Sequence, residues 1–198
     1  MRGIDVSENN GEISEWLWKK IVDSGIEFVM IRLGYGNGHL DSQFYKNYNL
    51  AKEAGLKVGV YYYDYGLDEQ RAIDEATYCV SILKDAGITP DDLEMGIYFD
   101  MEDADGWKER HGMPSNWTIT AMCDAFAGVC TDEGYSIGVY ASLDWLENVI
   151  DHNSLPDYMK YWVAHWADWC GFEKADLWQI TDRYAIGGQF FDYNEEVE

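Results

Sequence analysis

Met95-Gly96-Ile97-Tyr98-Phe99-Asp100-Met101-Glu102 begins as an apolar, aromatic strand and ends in two carboxylates. Alternate residues of an extended strand share a face, so Tyr98, Asp100 and Glu102 point one way and Ile97, Phe99 and Met101 the other. Two acids side by side at the end of a buried strand repel each other, and desolvation penalises both charges. Acid/base chemistry is one reason to carry that cost. The plainer reading is a strand that simply ends in water.

Around this strand the chain alternates. Gly3 to Ser7 reads as a short buried strand with Asp5 facing opposite to Ile4 and Val6, followed by the polar loop Glu8-Asn9-Asn10-Gly11. Ser14 is placed to cap a helix to about Asp23, which Gly25 stops. Glu27 to Leu33 is an almost continuous apolar run, as a parallel strand covered on both faces requires. The loop Gly34-Tyr35-Gly36-Asn37-Gly38 lacks the Gly-Lys-Ser/Thr ending of a phosphate loop. Ser42 is expected to cap a helix to Ala54, and Lys57 to Tyr63 forms the third strand. A long amphipathic helix then runs from Leu67 or Asp68 to Ala86. Beyond the opening strand, an irregular loop is expected from Asp103 to Pro114, and Ser115 or Asn116 caps a helix to about Glu133. Tyr135 to Ala141 is the fifth strand, with a short helix from Ser142. The pattern then changes: Tyr158 to Trp166, Ala175 to Ile180 and Gly188 to Tyr193 read as three strands without full helices between them.

Five strand–helix units followed by three strands, (β/α)5(β)3, predict an α/β fold with a parallel sheet and right-handed crossovers. Eight strands can close into an irregular TIM-like barrel. The 198 residues fall short of the ~250 of a standard barrel, as missing helices in the last third would explain. An open, doubly wound sheet is the alternative, but the loop after the first strand lacks its Gly-x-Gly-x-x-Gly fingerprint. With no linker or repeat, a single catalytic domain over 1–198 is expected.

Composition narrows the partners. Hydrophobic content of 47% with 16% aromatics fits a globular protein, and no apolar run reaches the ~20 residues of a membrane span. Fourteen basic against 37 acidic residues give −23, which argues against nucleic acid or an anionic membrane surface. Met1-Arg2-Gly3-Ile4-Asp5 carries no apolar stretch after the basic residue, so no secretory signal is expected in this chain. Cys79, Cys123, Cys130 and Cys170 are scattered. Cys123 and Cys130 would lie ~10 Å apart along a helix, too far for a disulfide. Buried free thiols are expected, with no metal site and no cofactor.

In barrels of this kind catalytic groups sit at the C-terminal ends of the strands. Those ends hold Asp5, Arg32, Tyr61, Tyr63, Asp100, Glu102, Tyr140, His165 or Trp166, Gln179 and Asp192. The first and eighth strands are neighbours in a closed barrel, so Asp5 and Asp192 would meet and four carboxylates would share one mouth. Each has a bland role available: Asp5 as a loop cap, Asp192 solvated, Arg32 balancing the acids. Trp162, Trp166, Trp169 and Trp178 are more often core. With nine Trp and 15 Tyr, however, not all can be core, and aromatic faces beside carboxylates suit carbohydrate. Glycoside hydrolysis needs one protonated carboxyl group and a partner for developing positive charge, and crowded anions raise one pKa. Glu102, outermost and longest, is best placed to reach a glycosidic oxygen, with Tyr98 a candidate floor beneath.

The chain resembles family 25 of the glycoside hydrolases, the N-acetylmuramidases or lysozymes. The resemblance is carried by Gly3-Ile4-Asp5-Val6-Ser7, Phe28 to Gly36, Val58 to Tyr63, Phe99-Asp100-Met101-Glu102, Gly138-Val139-Tyr140, Trp162 to Trp166, Trp178-Gln179 and Asp192-Tyr193-Asn194. It implies an irregular barrel of five strand–helix units and three strands, acting as a monomer on bacterial peptidoglycan. The bond cut would be the β-1,4 link from N-acetylmuramic acid to N-acetylglucosamine, in the wall outside the cell or after lysis. The family's proton donor maps to Glu102 and its other acids to Asp5, Asp100 and Asp192. Arg32, Tyr61, Tyr63, Tyr98, Tyr140, Trp166 and Gln179 would bind substrate. By analogy with other Asp-x-Glu glycosidases, Asp100 would orient a 2-acetamido group acting as nucleophile; an inverting route with an Asp base also fits. Asn9-Asn10 and Tyr62 stand where members often carry Gln and His, and the loop Trp107 to Gly112 has no counterpart. Competing readings are a glycosidase of chitin-like or N-glycan chains, a non-catalytic glycan-binding barrel, and a divalent-metal hydrolase that a chelator would silence.

Overall fold

The computed structural model describes residues 1–197. In chain order the strands and helices are β1 (Arg2–Val6), α1 (Glu15–Asp23), β2 (Phe28–Tyr35), β3 (His39–Leu40), α2 (Phe44–Glu53), β4 (Lys57–Tyr63) and α3 (Glu69–Asp85). They continue with β5 (Gly96–Asp100), α4 (Trp107–His111), α5 (Asn116–Asp132), β6 (Ile137–Ser142), α6 (Leu143–Asn148), β7 (Lys160–Ala164), β8 (Leu177–Ile186) and β9 (Gln189–Glu196). The strands pair in the order β1-β9-β8-β7-β6-β5-β4-β2, and β2 returns to β1. The sheet is therefore a closed barrel of eight strands rather than an open one. The two-residue β3 hangs on the end of β2 as a hairpin, so Gly34 and Tyr35 belong to a strand where a loop was expected.

Pairing is parallel from β1–β2 around to β7–β8, but β9 runs antiparallel to both β8 and β1. This corrects the expectation of an all-parallel sheet. Gly187 and Gly188, at φ +60° and +89°, make a two-residue turn of the kind that joins antiparallel strands. A parallel return would need a crossover of a dozen residues. Asp192 thus reaches the mouth from a strand that descends into the barrel, directly across the register from Asp5.

Most helices start where a side-chain oxygen takes an otherwise free N–H. Ser14, Asp68, Ser115 and Ser142 accept from the backbone of Leu17, Arg71, Thr118 and Trp145. The cap expected at Ser42 is absent: α2 begins after Gln43, whose N–H is taken by Asp41 at 2.9 Å. The segment expected to be irregular contains α4. Asp103 accepts from Lys108 and Glu109 and Asp105 from Trp107, which together satisfy its first turn.

Side-chain alternation divides the core into two layers. Ile97, Phe99 and Met101 face the helices with the large outer core, where Phe99 stacks on Phe126 of α5 at 4.1 Å. Phe28, Met30, Tyr61, Met95, Tyr98, Trp162 and Leu177 plug the lower barrel. Gly3 and Gly138 make room for that plug: a Cβ on either would lie 2.3 Å from the ring of Phe28 or Tyr98. Cys79, Cys123 and Cys130 are buried free thiols, and Cys170 is half-buried. Among the described residues no helix is long and apolar enough to cross a membrane.

Candidate active site

Above the plug the barrel opens into a cavity of about 650 Å³. Its wall includes Asp5, Asp100, Glu102 and Asp192 together with Arg32, Tyr61, Tyr63, Tyr140, Trp166 and Gln179. Tyr98 is not in the wall. It lies one layer deeper, edge-on to Trp162 at 5.7 Å, and Trp162 is the ring that faces the cavity. Trp162 also meets Tyr140 at 4.5 Å and donates from Nε1 to Asn194 at 2.8 Å. Trp166 stands at the rim with 60% of its surface exposed, which suits a ring that stacks on a ligand.

The acids occupy four different environments. Asp5 is buried, and its Oδ2 accepts from Gln179 Nε2 at 3.0 Å and Asn194 Nδ2 at 2.9 Å. Burial raises it to about 6, against the opposing pull of bonds from Asn194, Gln179 and Asp192. Asp192 is raised to about 8 by burial, then by the charges of Asp5 and Asp182. Burial and mutual repulsion thus raise both members of the pair, Asp192 further than Asp5, and favour a proton held between them. Gln179 is held in turn, its Oε1 accepting from Tyr140 at 3.0 Å and Trp166 at 3.3 Å.

Asp100 is buried, and its Oδ1 has no hydrogen-bond partner within the protein. Burial first, and Glu102 second, push it well above the usual carboxylate range. Glu102, half-buried beyond the end of β5, is raised to about 7 by burial; Lys108 opposes this, and Asp105, Asp103 and Asp192 add to it. A carboxyl group of that pKa holds a proton for a substantial fraction of the time near neutrality, as a general acid must.

Arg32 opposes the rise of Asp100 through its charge, but its direct partners are other acids. Its Nε donates to Asp41 at 2.8 Å and its Nη2 to Glu8 at 3.1 Å, which fix it in place where it also lines the cavity. Among the described residues no group of three His, Cys, Asp or Glu side chains is arranged to hold a metal ion.

Sequence reading missed a second, fully buried set of charges beside the cavity. Lys108 of α4 is 1% exposed, and its Nζ donates to the carbonyl oxygens of Asp64 (2.8 Å) and Glu102 (2.6 Å). The same ammonium sits 3.2 Å from Asp64 Oδ2. Glu75 of α3 is raised to about 10 by burial and then by Asp64, so it keeps its proton beside that carboxylate. Lys108 sits in the loop with no counterpart in the resemblance, and a lone Lys between acids gives no sequence signal of burial. Asn194 lay inside the motif Asp192-Tyr193-Asn194, but nothing in the sequence marked it as the residue that holds Asp5.

The sequence model of the glycosyl hydrolases family 25 matches residues 4–189, which stops just short of Asp192. Lysozyme M1 of Streptomyces globisporus is 24% identical over 95% of this chain and 64% of its own length. The autolytic lysozyme of Clostridium acetobutylicum is 25% identical over 95% and 58%. The chain thus spans less than two thirds of these curated relatives. Among solved structures, the modular autolysin LytC of Streptococcus pneumoniae, in complex with a synthetic peptidoglycan ligand, superposes with a TM-score of 0.85 at 25% identity. That match covers 98% of this chain and 46% of the other.

Proposed function

The chain belongs to the glycosyl hydrolases family 25, and from that premise we propose that it is a lysozyme. It cleaves the β-1,4 bond between N-acetylmuramic acid and N-acetylglucosamine in bacterial peptidoglycan, as a single catalytic domain and a monomer. The observation that carries this reading is Glu102, a carboxyl group near pKa 7 in a cavity walled by acids and aromatic rings. The names of the lysozymes and of the autolysin–peptidoglycan complex support the substrate.

In the proposed mechanism the glycan lies across the mouth with a sugar face on Trp166. Glu102 delivers its proton to the glycosidic oxygen as the bond to C1 breaks. The unpartnered Oδ1 of Asp100 receives the N–H of the substrate's 2-acetamido group and turns its carbonyl oxygen toward C1. That oxygen then bonds to C1 and carries the positive charge until water displaces it, with Glu102 now accepting the water's proton. Asp5 is a poor candidate for activating water directly, because its Oδ2 already accepts two bonds from Gln179 and Asn194. The Asp5–Asp192 pair instead contributes one fixed negative charge opposite the developing cation.

A turbidity assay on purified peptidoglycan tests the reading with wild type and Glu102→Gln. Wild type clears the suspension, and the amide variant is slower by about 10²–10⁴-fold, the usual contribution of a positioned acid. Equal rates would remove Glu102 from its role, and release from chitin oligomers without wall lysis would move the enzyme to another substrate.

A further inference from the structure

The buried charges beside the cavity form a continuous chain into the backbone of the acid. Glu75 on α3, kept protonated by burial and by the charge of Asp64, lies beside Asp64 at the start of the loop after β4; Asp64 faces Lys108 on α4; Lys108 reaches the carbonyl of Glu102. The ammonium donates to two carbonyl oxygens, Asp64 O at 2.8 Å and Glu102 O at 2.6 Å, and pairs with the charge of Asp64 Oδ2 at 3.2 Å. The ring of Tyr63, which also lines the cavity, lies 6.0 Å from the same nitrogen. A buried ammonium without partners would be very costly, and one held by two carbonyl oxygens and a facing carboxylate is confined to that position. Asp64 is pinned on its other oxygen by the Gly66 N–H at 2.6 Å.

We propose that Lys108 is a positioning residue for Glu102, its ammonium clamping the Glu102 carbonyl to the loop after β4 and so fixing how far the acid reaches into the cavity. This rests on the assignment of Glu102 as the proton donor. Glu102 lies just beyond the last strand residue, Asp100, so no sheet bond holds it; the ammonium takes over that task from α4. The clamp also acts through space. The titratable groups facing Glu102 are Asp100 on its own strand, Asp103 and Asp105 in its own loop, Asp5 and Asp192 from β1 and β9, and Lys108; the phenols of Tyr63 and Tyr140 complete the surroundings. Lys108 is the cation among them, and it restrains the upward push of burial and the acids.

The test is a 13C NMR titration of the Glu102 carboxyl group in the whole chain, with lysis kinetics in parallel. In Lys108→Met the titration midpoint moves up by about one unit or more, as loss of an adjacent opposite charge requires. The alkaline limb of lysis moves with it, and kcat falls about tenfold while KM stays within about twofold. Should Lys108→Met fail to fold, the Lys108→Met/Asp64→Asn double variant keeps the cluster neutral and must show the same shift. A folded variant with an unmoved midpoint and unchanged kcat, differing only in melting temperature, overturns the proposal. Failure of wild type to lyse any wall, with the midpoint still shifting, would instead strike the lysozyme reading and leave the clamp standing.

Discussion

Replacing the buried acid Glu75 by glutamine should stabilise this protein, and increasingly so as pH rises. In the unfolded chain Glu75 titrates near 4.5; in the native protein burial and Asp64 hold its proton up to about 10. Between those values the native state binds one proton more than the unfolded state, so stability falls as pH rises, by about 1.4 kcal/mol per unit. From pH 5 to 8 the cost is about 4 kcal/mol, a large share of the 5–15 kcal/mol typical of a domain. A glutamine side chain there would need no proton, has nearly the same shape, and places an amide N–H beside Asp64 in place of the acid's O–H. Urea titrations followed by tryptophan fluorescence at pH 5, 6, 7 and 8 measure the effect. The difference between Glu75→Gln and wild type should grow steadily toward pH 8. A difference that stays constant over that range would mean Glu75 carries no extra proton in the native state, and the account of the cluster would be wrong.

Two further outcomes bear on the cavity. Because Glu102 must be protonated and titrates near 7, initial lysis rates at fixed ionic strength should fall about tenfold per pH unit above that value; a flat profile from pH 6 to 9 excludes it as the acid. Trp166→Ala removes an exposed ring that touches the site through Gln179; KM should rise about three- to tenfold with kcat within about twofold, as read from oligosaccharide kinetics.

Periodicity made the first five strand–helix units legible, because a strand buried on two faces and a capped amphipathic helix each leave a local trace. The direction of β9 had a trace as well, in Gly187-Gly188, but it was outweighed by the regularity of what came before. The acids at the strand ends could be collected from the sequence once a barrel was assumed, and closure of the barrel made Asp5 and Asp192 neighbours. Which group fills which environment was not legible. Tyr98 and Trp162 both alternate inward, and only their depth in the barrel separates a plug from a wall. Lys108, Asp64 and Glu75 leave no local trace, since their mutual burial depends on three separate elements meeting in the fold.

The pairing of β9 with β1 carries a consequence for how the enzyme comes into being. Asp5 finds its partner Asn194 189 positions away, and Asp192 lies on the same late strand. Such long loops are closed at high entropic cost and late in folding. While the chain is still being synthesised, the early strands can form with Glu102 and Asp100 already in place, yet the charge that faces them is missing its proton-sharing partner. Sealing the barrel and completing the acid cluster are therefore one event, since Asp192 and Asn194 both arrive on β9.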